Sequence, residues 1–539
     1  MMMFLRQGLR KTISIFCINS LVVCVSCESL SKTPQYKIEK YNLPSHQTPF
    51  YQIASRKRKA IIKQAIPLQY FSVSDFGALG NGIADDTKSI QKAIDAASAS
   101  GGGFVLFPAG TYKIKIRADI PQALIVYPNI ALQGNSYETS IIKLAGRQRN
   151  YNAIIGAQTA DDDLSDFSIK NLTIDSNSTN NPVSSEANFS GAMDRFSVRV
   201  FSGVNVQITN SRFRDINAVN TLTVNSDTRV SDVLIENNIF EQIGGASFDY
   251  DHSTIYLHGK RGIIANNVFL SRKGAGTNGA RTAIETHGDD HTVQSNSIDG
   301  FANGIYATGY ASSSRNQLVT GNTIKNAHSG IVIWSYFFQK SLPNPALVNC
   351  RISNNNIKIN VSGWRRLWGS SPNQGIALEP NSPSSVQDIY IENNEIIFFN
   401  NDAGQPTDTL ANGISLWRNA APDVLSTGIY LQGNKIKNAL STGIYVGMPI
   451  SVLNIIGNTI VNPGRGKYTF SDGYRAGLIV GKSQNLVVRK NQFLDNQPIN
   501  TIKAGMRWGV SCVENCDRRW NTIQVQSGES VPLIVDEVR

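Results

Sequence analysis

Residues 233–240 read VLIENNIF, and residues 262–269 read GIIANNVF. The pattern they share is an apolar residue, two variable positions, an asparagine, one variable position, then Ile or Phe. It recurs along most of the chain, on Asn210, Asn238, Asn267, Asn296, Asn322, Asn355, Asn394, Asn434, Asn458 and Asn491. The spacings run from 24 to 40 residues, the period of a solenoid whose turns carry loop insertions. Asparagine favours turns between short strands, and an amide both donates and accepts. Stacked at one corner, these amides should bond their neighbours above and below. They are structural, and none is a catalytic candidate.

A second repeat lies between those turns. The segments STIYLHGK, RTAIETHGD, NGIYATGY, SGIVIWSYF, QGIALEPN, NGISLWRN and TGIYVGMP align on Ile255, Ile284, Ile305, Ile331, Ile376, Ile414 and Ile444, with Val198 and Leu222 as weaker matches upstream. They read as rungs of one parallel sheet, about 4.8 Å apart. Side chains alternate along a strand. The aligned isoleucines, and Leu257, Thr286, Ala307, Ile333, Leu378, Leu416 and Val446 two positions on, should point inward. The intervening residues should share the outer face.

The segment 73–114, VSDFGALGNGIADDTKSIQKAIDAASASGGGFVLFPAGTYKI, predicts a short helix with Asp86 or Thr87 near its N-cap, then a strand. Asp85 and Asp86 are assigned to capping. This segment resembles the entry of pectate-lyase-like proteins. The resemblance implies an all-β, right-handed, single-stranded parallel β-helix with a short N-terminal capping helix. Lyases, glycoside hydrolases, uronate epimerases and phage tailspikes share that fold, so the segment speaks for fold and hardly for reaction.

The chain begins with three basic residues in MMMFLRQGLRK and the apolar run TISIFCINSLVVCVSC, too short to span a bilayer well and similar to a secretory signal. Val25-Ser26-Cys27 resembles a bacterial lipoprotein cleavage site with Cys27 as the lipidated residue. The expected organisation is a signal at 1–27, a basic tether at 28–67, the β-helix at 68–510 and a C-terminal tail or cap at 511–539. An exported protein would then sit at the cell surface or be released, touching the membrane through its lipid alone. Cys512 and Cys516 could pair there. The net charge of +11 suits an anionic partner, here an acidic polysaccharide. No nucleic-acid-binding motif accompanies the charge.

One stretch concentrates chemistry: residues 281–291, RTAIETHGDDH, hold two His, one Glu, one Arg and two Asp in a chain that is 17% charged. Alternation places Glu285 and His287 on the outer face, with His258 one rung away. Lys260 and Asp289 follow at the rung ends, and Arg281 precedes its strand. The expected catalytic set is His287, His258, Lys260, Arg281 and Glu285. The expected substrate-binding set on the same face is Arg199, Asn225, Tyr256, Tyr306, Tyr310, Trp334, Tyr336, Glu379, Trp417 and Arg418, whose aromatics offer flat faces to sugar rings. Asp290 and His291 are read as part of the next turn.

The chemistry that fits first is a polysaccharide lyase. Elimination in a uronic-acid polymer needs a base for the C5 proton and positive charge for the developing enolate. The segment HGDDHTV resembles the His-Gly-Asp-His of the chondroitinase B and alginate lyase family, whose catalytic lysine would fall near Lys260; Thr286 stands where that family has arginine. A glycoside hydrolase is the alternative, with Glu285 and Asp289 or Asp249 as the carboxyl pair; AIETHG resembles the Glu-Thr-Asp of iota-carrageenases. A non-catalytic glycan-binding surface protein and a uronate epimerase complete the readings, the epimerase signature Asp-Pro-His being echoed only in DYDHS. No cofactor is required by these readings, although Glu285 and Asp289 could hold calcium.

Overall fold

In the computed structural model the described residues are 69–148, 151–181, 195–226, 228–245, 253–272, 281–310, 314–336, 345–361, 373–380, 385–399, 411–417, 425–465, 474–481, 483–499, 501–508 and 516–536. They form a right-handed parallel β-helix with three sheets of 14, 15 and 16 strands. Each turn contributes one strand to each sheet. Ile263–Ala265, Val268–Ser271 and Thr282–Asp289 make one such turn, and among the described residues the strands pair in parallel, for example Ile255↔Ile284↔Ile305↔Ile331. The coil continues beyond residue 510: Thr522–Val525 pairs with Gln492–Asp495, and Ile534–Asp536 pairs with Ala504–Trp508.

Burial follows the predicted alternation. Ile255, Ile284, Ile305, Ile331, Ile376, Ile414 and Ile444 have no exposed surface, nor do Leu257, Thr286 and Leu378. Parallel strands stacked in register put like side chains over like. Phe213, Phe240 and Phe269 therefore stack at 5.1 and 4.7 Å, and apolar burial of this kind is the main driving term for the coil.

The corner between the 14- and 15-stranded sheets carries the asparagine ladder. Asn238 Nδ2 donates to Asn267 Oδ1 at 3.0 Å, Asn267 to Asn296 at 3.0 Å, and so on through Asn491 to Asn521 at 2.9 Å. The residue before each ladder asparagine has positive φ, as at Asn266, Gly433 and Lys490, a conformation that Gly and Asn adopt most readily. Two positions differ from the sequence expectation. Asn210 is one place early: it occupies the positive-φ position, and Ser211 stands at the ladder site, donating its N–H to Asn238 Oδ1. Asn521, which the pattern did not include, completes the ladder.

The helix Thr87–Ala99 closes the N-terminal end, burying Ile90, Ala93, Ile94 and Ala97. Asp85, rather than Asp86, bonds the first helical residue, accepting from Thr87 N–H at 3.2 Å. Asp86 sits at the N-cap without a side-chain cap bond; its carboxylate accepts from the N–H groups of Leu79 and Gly80 instead. The aspartates are structural by two different routes.

Candidate active site

The strands Ser253–Lys260 and Thr282–Asp289 lie side by side in the 16-stranded sheet, with Tyr256 opposite Glu285, His258 opposite His287 and Lys260 opposite Asp289. Since Ile255, Leu257, Ile284 and Thr286 fill the core, the other set faces outward. The His258 and His287 rings are 5.0 Å apart between centroids, and the Tyr256 and His287 rings 4.7 Å. Nε2 of His287 lies 3.8 Å from Oε1 of Glu285. Tyr256 and His258 are half-buried and Lys260 is exposed, whereas Glu285 and His287 are 3% and 1% exposed. Glu285 and His287 are thus a floor, and Tyr256, His258 and Lys260 are the rim that solvent reaches.

Burial, and the neighbouring His258 and His291, hold the His287 imidazole neutral by driving its pKa well below the usual value. Among the described residues neither ring nitrogen of His287 has a hydrogen-bond partner. The ring packs against Tyr256 and His258.

His291 anchors the ends of both strands. Its Nδ1 accepts from Gly262 N–H at 2.9 Å, so the ring proton is on Nε2, which donates to the carbonyls of Gly259 and His287, each at 2.8 Å. Burial lowers its pKa to about 4. The two backbones can approach here because each histidine is followed by glycine. A Cβ on Gly288, whose φ is +104°, would lie 1.9 Å from Gly259 O. His291 is therefore a structural group that fixes where the site strands end.

The other predicted residues separate into groups. Arg281 is buried in front of its strand. Arg199 is half-buried and tied to earlier rungs, with Nη1 on Asn152 Oδ1 and Nη2 on Ala157 O at 3.1 Å, so its guanidinium serves the coil. Arg261, the residue after Lys260 and outside those sets, is held bidentate by Asp232 at 2.6 Å. Lys260 is an exposed cation on the rim, two residues after His258 on the same strand. Asn225 is the register partner of His258, Tyr306 of Glu285, and Thr308 of both His287 and Trp334. Glu379 is the register partner of Trp334; Gln374 Nε2 donates to it at 2.8 Å, and burial raises its pKa.

Trp417, 44% exposed, stacks on Tyr445 at 6.0 Å, and Tyr445 meets Tyr474 at 6.2 Å. Tyr445 was legible as an outward rung residue. Tyr474 carries no repeat signal. Tyr310 and Tyr336 pair in register; their side chains, and the whole of Arg418, Asp249, Cys27, Cys512 and the tether, lie outside the described residues. Cys516 is disulfide-bonded.

Glu285 and Asp289 are the expected carboxyl pair and the expected calcium ligands. They are four residues apart on one strand, about 13 Å at the rise of an extended chain. Among the described residues no group of three or more His, Cys, Asp or Glu is placed to hold a metal.

Comparisons with known proteins agree with the fold. Residues 70–332 match the family described as rhamnogalacturonase A/epimerase, pectate lyase-like, and residues 282–493 match the right-handed β-helix region. A mannuronan C5-epimerase of Azotobacter vinelandii is 30% identical over 229 residues, 38% of this chain and 12% of the epimerase. An alginate lyase of the same organism is 38% identical over 112 residues, 20% of this chain and 13% of the lyase. The matched part is thus a small fraction of either relative's length. The tailspike protein of E. coli bacteriophage HK620, solved in complex with a pentasaccharide, superposes with a TM-score of 0.60 at 16% identity, covering 87% of this chain and 78% of the tailspike. The chain is a pectate-lyase-like right-handed β-helix with distant similarity to these proteins.

Proposed function

We propose that the chain is an exported polysaccharide lyase that removes the C5 proton of a uronic acid unit in an acidic polysaccharide. The observation that carries this reading is the rim of the site: Tyr256, His258 and Lys260 project from one strand on one face, backed by the neutral His287 ring at 5.0 Å from His258. His258 takes the C5 proton, and the electron pair of that C–H bond moves toward the C6 carboxylate. Lys260 faces the carboxylate and stabilises the charge that develops there. The pair then forms the C4–C5 double bond as the C4–O bond breaks, and Tyr256 donates a proton to the departing oxygen. His287 and Glu285 act from beneath, as positioning residues. The net charge of +11 supports a polyanionic substrate, and the basic, apolar start of the chain supports export with Cys27 carrying lipid.

A second outcome of the same first step is epimerisation, in which the anion is reprotonated at C5 and no bond to the next sugar breaks. The longer alignment with the A. vinelandii epimerase supports it. One experiment separates the outcomes: incubation with alginate and polygalacturonate in deuterated water. New ultraviolet absorbance of unsaturated uronate means elimination. Deuterium at C5 without that absorbance means epimerisation. Absence of both, with new reducing ends or with none, overturns C5 chemistry altogether.

A further inference from the structure

Far from the histidines, at the corner between the 14- and 15-stranded sheets, the last rung of the asparagine ladder is preceded by Trp520. Its φ is +61° and it is 58% exposed. Other rungs place Asn, Gly, Ser or Lys at that position. A bulky aromatic there is a backbone outlier, and such strain is found where a side chain has to be presented in a set direction. Three cations surround the ring: Arg519 at 5.0 Å, Arg489 at 5.4 Å and Lys490 at 5.9 Å from its centroid. Arg518 stacks on Trp508 beside them.

The two carboxylates in this cluster do not cancel its charge. Asp517 is shared by Arg489 and Arg519, and Asp536 pairs with Arg518. Arg519 remains 63% exposed at its side chain and Arg489 32%. A flat indole edged by planar guanidinium groups matches a sugar that bears a carboxylate: the ring supplies apolar surface, and the arginine forks pair with the anion.

We infer that the Trp520 corner, with Arg489, Lys490 and Arg519, is a second binding site for an acidic polysaccharide, holding the polymer away from the histidine cluster. Seven ladder steps separate Asn296, beside the histidine strands, from Asn521, roughly 34 Å along the axis. A polymer can bridge that span and a short oligosaccharide cannot, so the corner raises the local concentration of chain without contributing to the reaction. The inference shares with the proposed function the class of polymer and nothing of its chemistry.

The test is retention of the full-length protein on immobilised alginate and polygalacturonate, with neutral dextran and double-stranded DNA alongside. Wild-type retention on a polyuronate, weakened by about tenfold or more in Trp520→Gly and in Arg519→Gln, is the expected result. Glycine suits the positive φ, so Trp520→Gly should melt no lower than the wild type, and its turnover of short uronate oligosaccharides should be unchanged. Failure of the wild type to bind either polyuronate overturns the site, as does unchanged retention in both variants. DNA retained at least as tightly as polyuronate overturns the choice of partner. None of these outcomes depends on deuterium exchange at C5, so this inference and the proposed function fail separately.

Discussion

His258 and His287 are 29 residues apart in sequence and 5.0 Å apart between ring centroids. The rings differ in access: His258 is half-buried and His287 is 1% exposed. In the proposed lyase mechanism the accessible ring takes the proton and the covered one supports it. His258→Ala should lower turnover of a uronate polymer by about a hundredfold or more, the usual loss when a general base is removed. Steady-state kinetics on a responsive polymer checks it, and near-normal turnover would remove His258 from the reaction.

His287→Leu should leave the thermal midpoint unchanged or raise it. Both ring nitrogens are buried without hydrogen-bond partners among the described residues, and replacing unsatisfied polar atoms by an apolar group of comparable shape costs little. Activity should still fall, mainly in kcat, because Tyr256 and His258 lose the ring they lean on. Melting curves and kinetics of one variant test both halves.

Stability should decline with acidity before the carboxylates titrate. His291 and His328 have pKa values lowered to about 4 by burial, and His287 is lowered in the same direction. Between pH 6.5, where a histidine in the unfolded chain titrates, and about 4, the unfolded chain binds protons that the folded chain refuses. The stabilisation is whole above that window and drains as pH falls through it, by as much as about 3 kcal/mol for a single such histidine. Denaturant unfolding from pH 7 to 4 should show this slope, and His328→Gln should reduce it by about one proton.

Asn322→Ala should destabilise the middle of the coil. The side chain accepts from the N–H and the amide of Asn296, and donates to Val293 O and to Asn355. Removing it strands buried groups at about 1–3 kcal/mol each. Asn521→Ala, at the last rung, should cost less. Urea midpoints of the two variants give the comparison.

Gly288→Ala should prevent folding of the site region, since its methyl group would lie 1.9 Å from Gly259 O on the next rung and φ there is +104°. Loss of soluble protein, or of the near-ultraviolet signal, is the readout. A variant that melts like the wild type would mean that the two backbones can separate.

The repeat made the architecture readable before any coordinates. Period-two alternation decides which side of a strand is apolar, and a return of the same pattern every few tens of residues leaves parallel stacking as the way to bury those apolar sides. Ile255, Ile284 and Ile305 were therefore placed correctly from spacing alone, and with them the outward column of Tyr256 and Glu285. Asn210 was misplaced by one residue because Asn also suits the positive-φ position next to the ladder.

Depth and partnership were not readable in this way, because they depend on atoms from distant turns. Nothing local in THGDDH tells that His287 is covered while His258 is reached by solvent. Nor does it tell that Arg199 and Arg261 spend their charge on Asn152 and Asp232. Trp520 drew no notice as one residue in a run of arginines. Its backbone angle and the three cations around its ring come from adjoining rungs, and they exist only once the coil has closed.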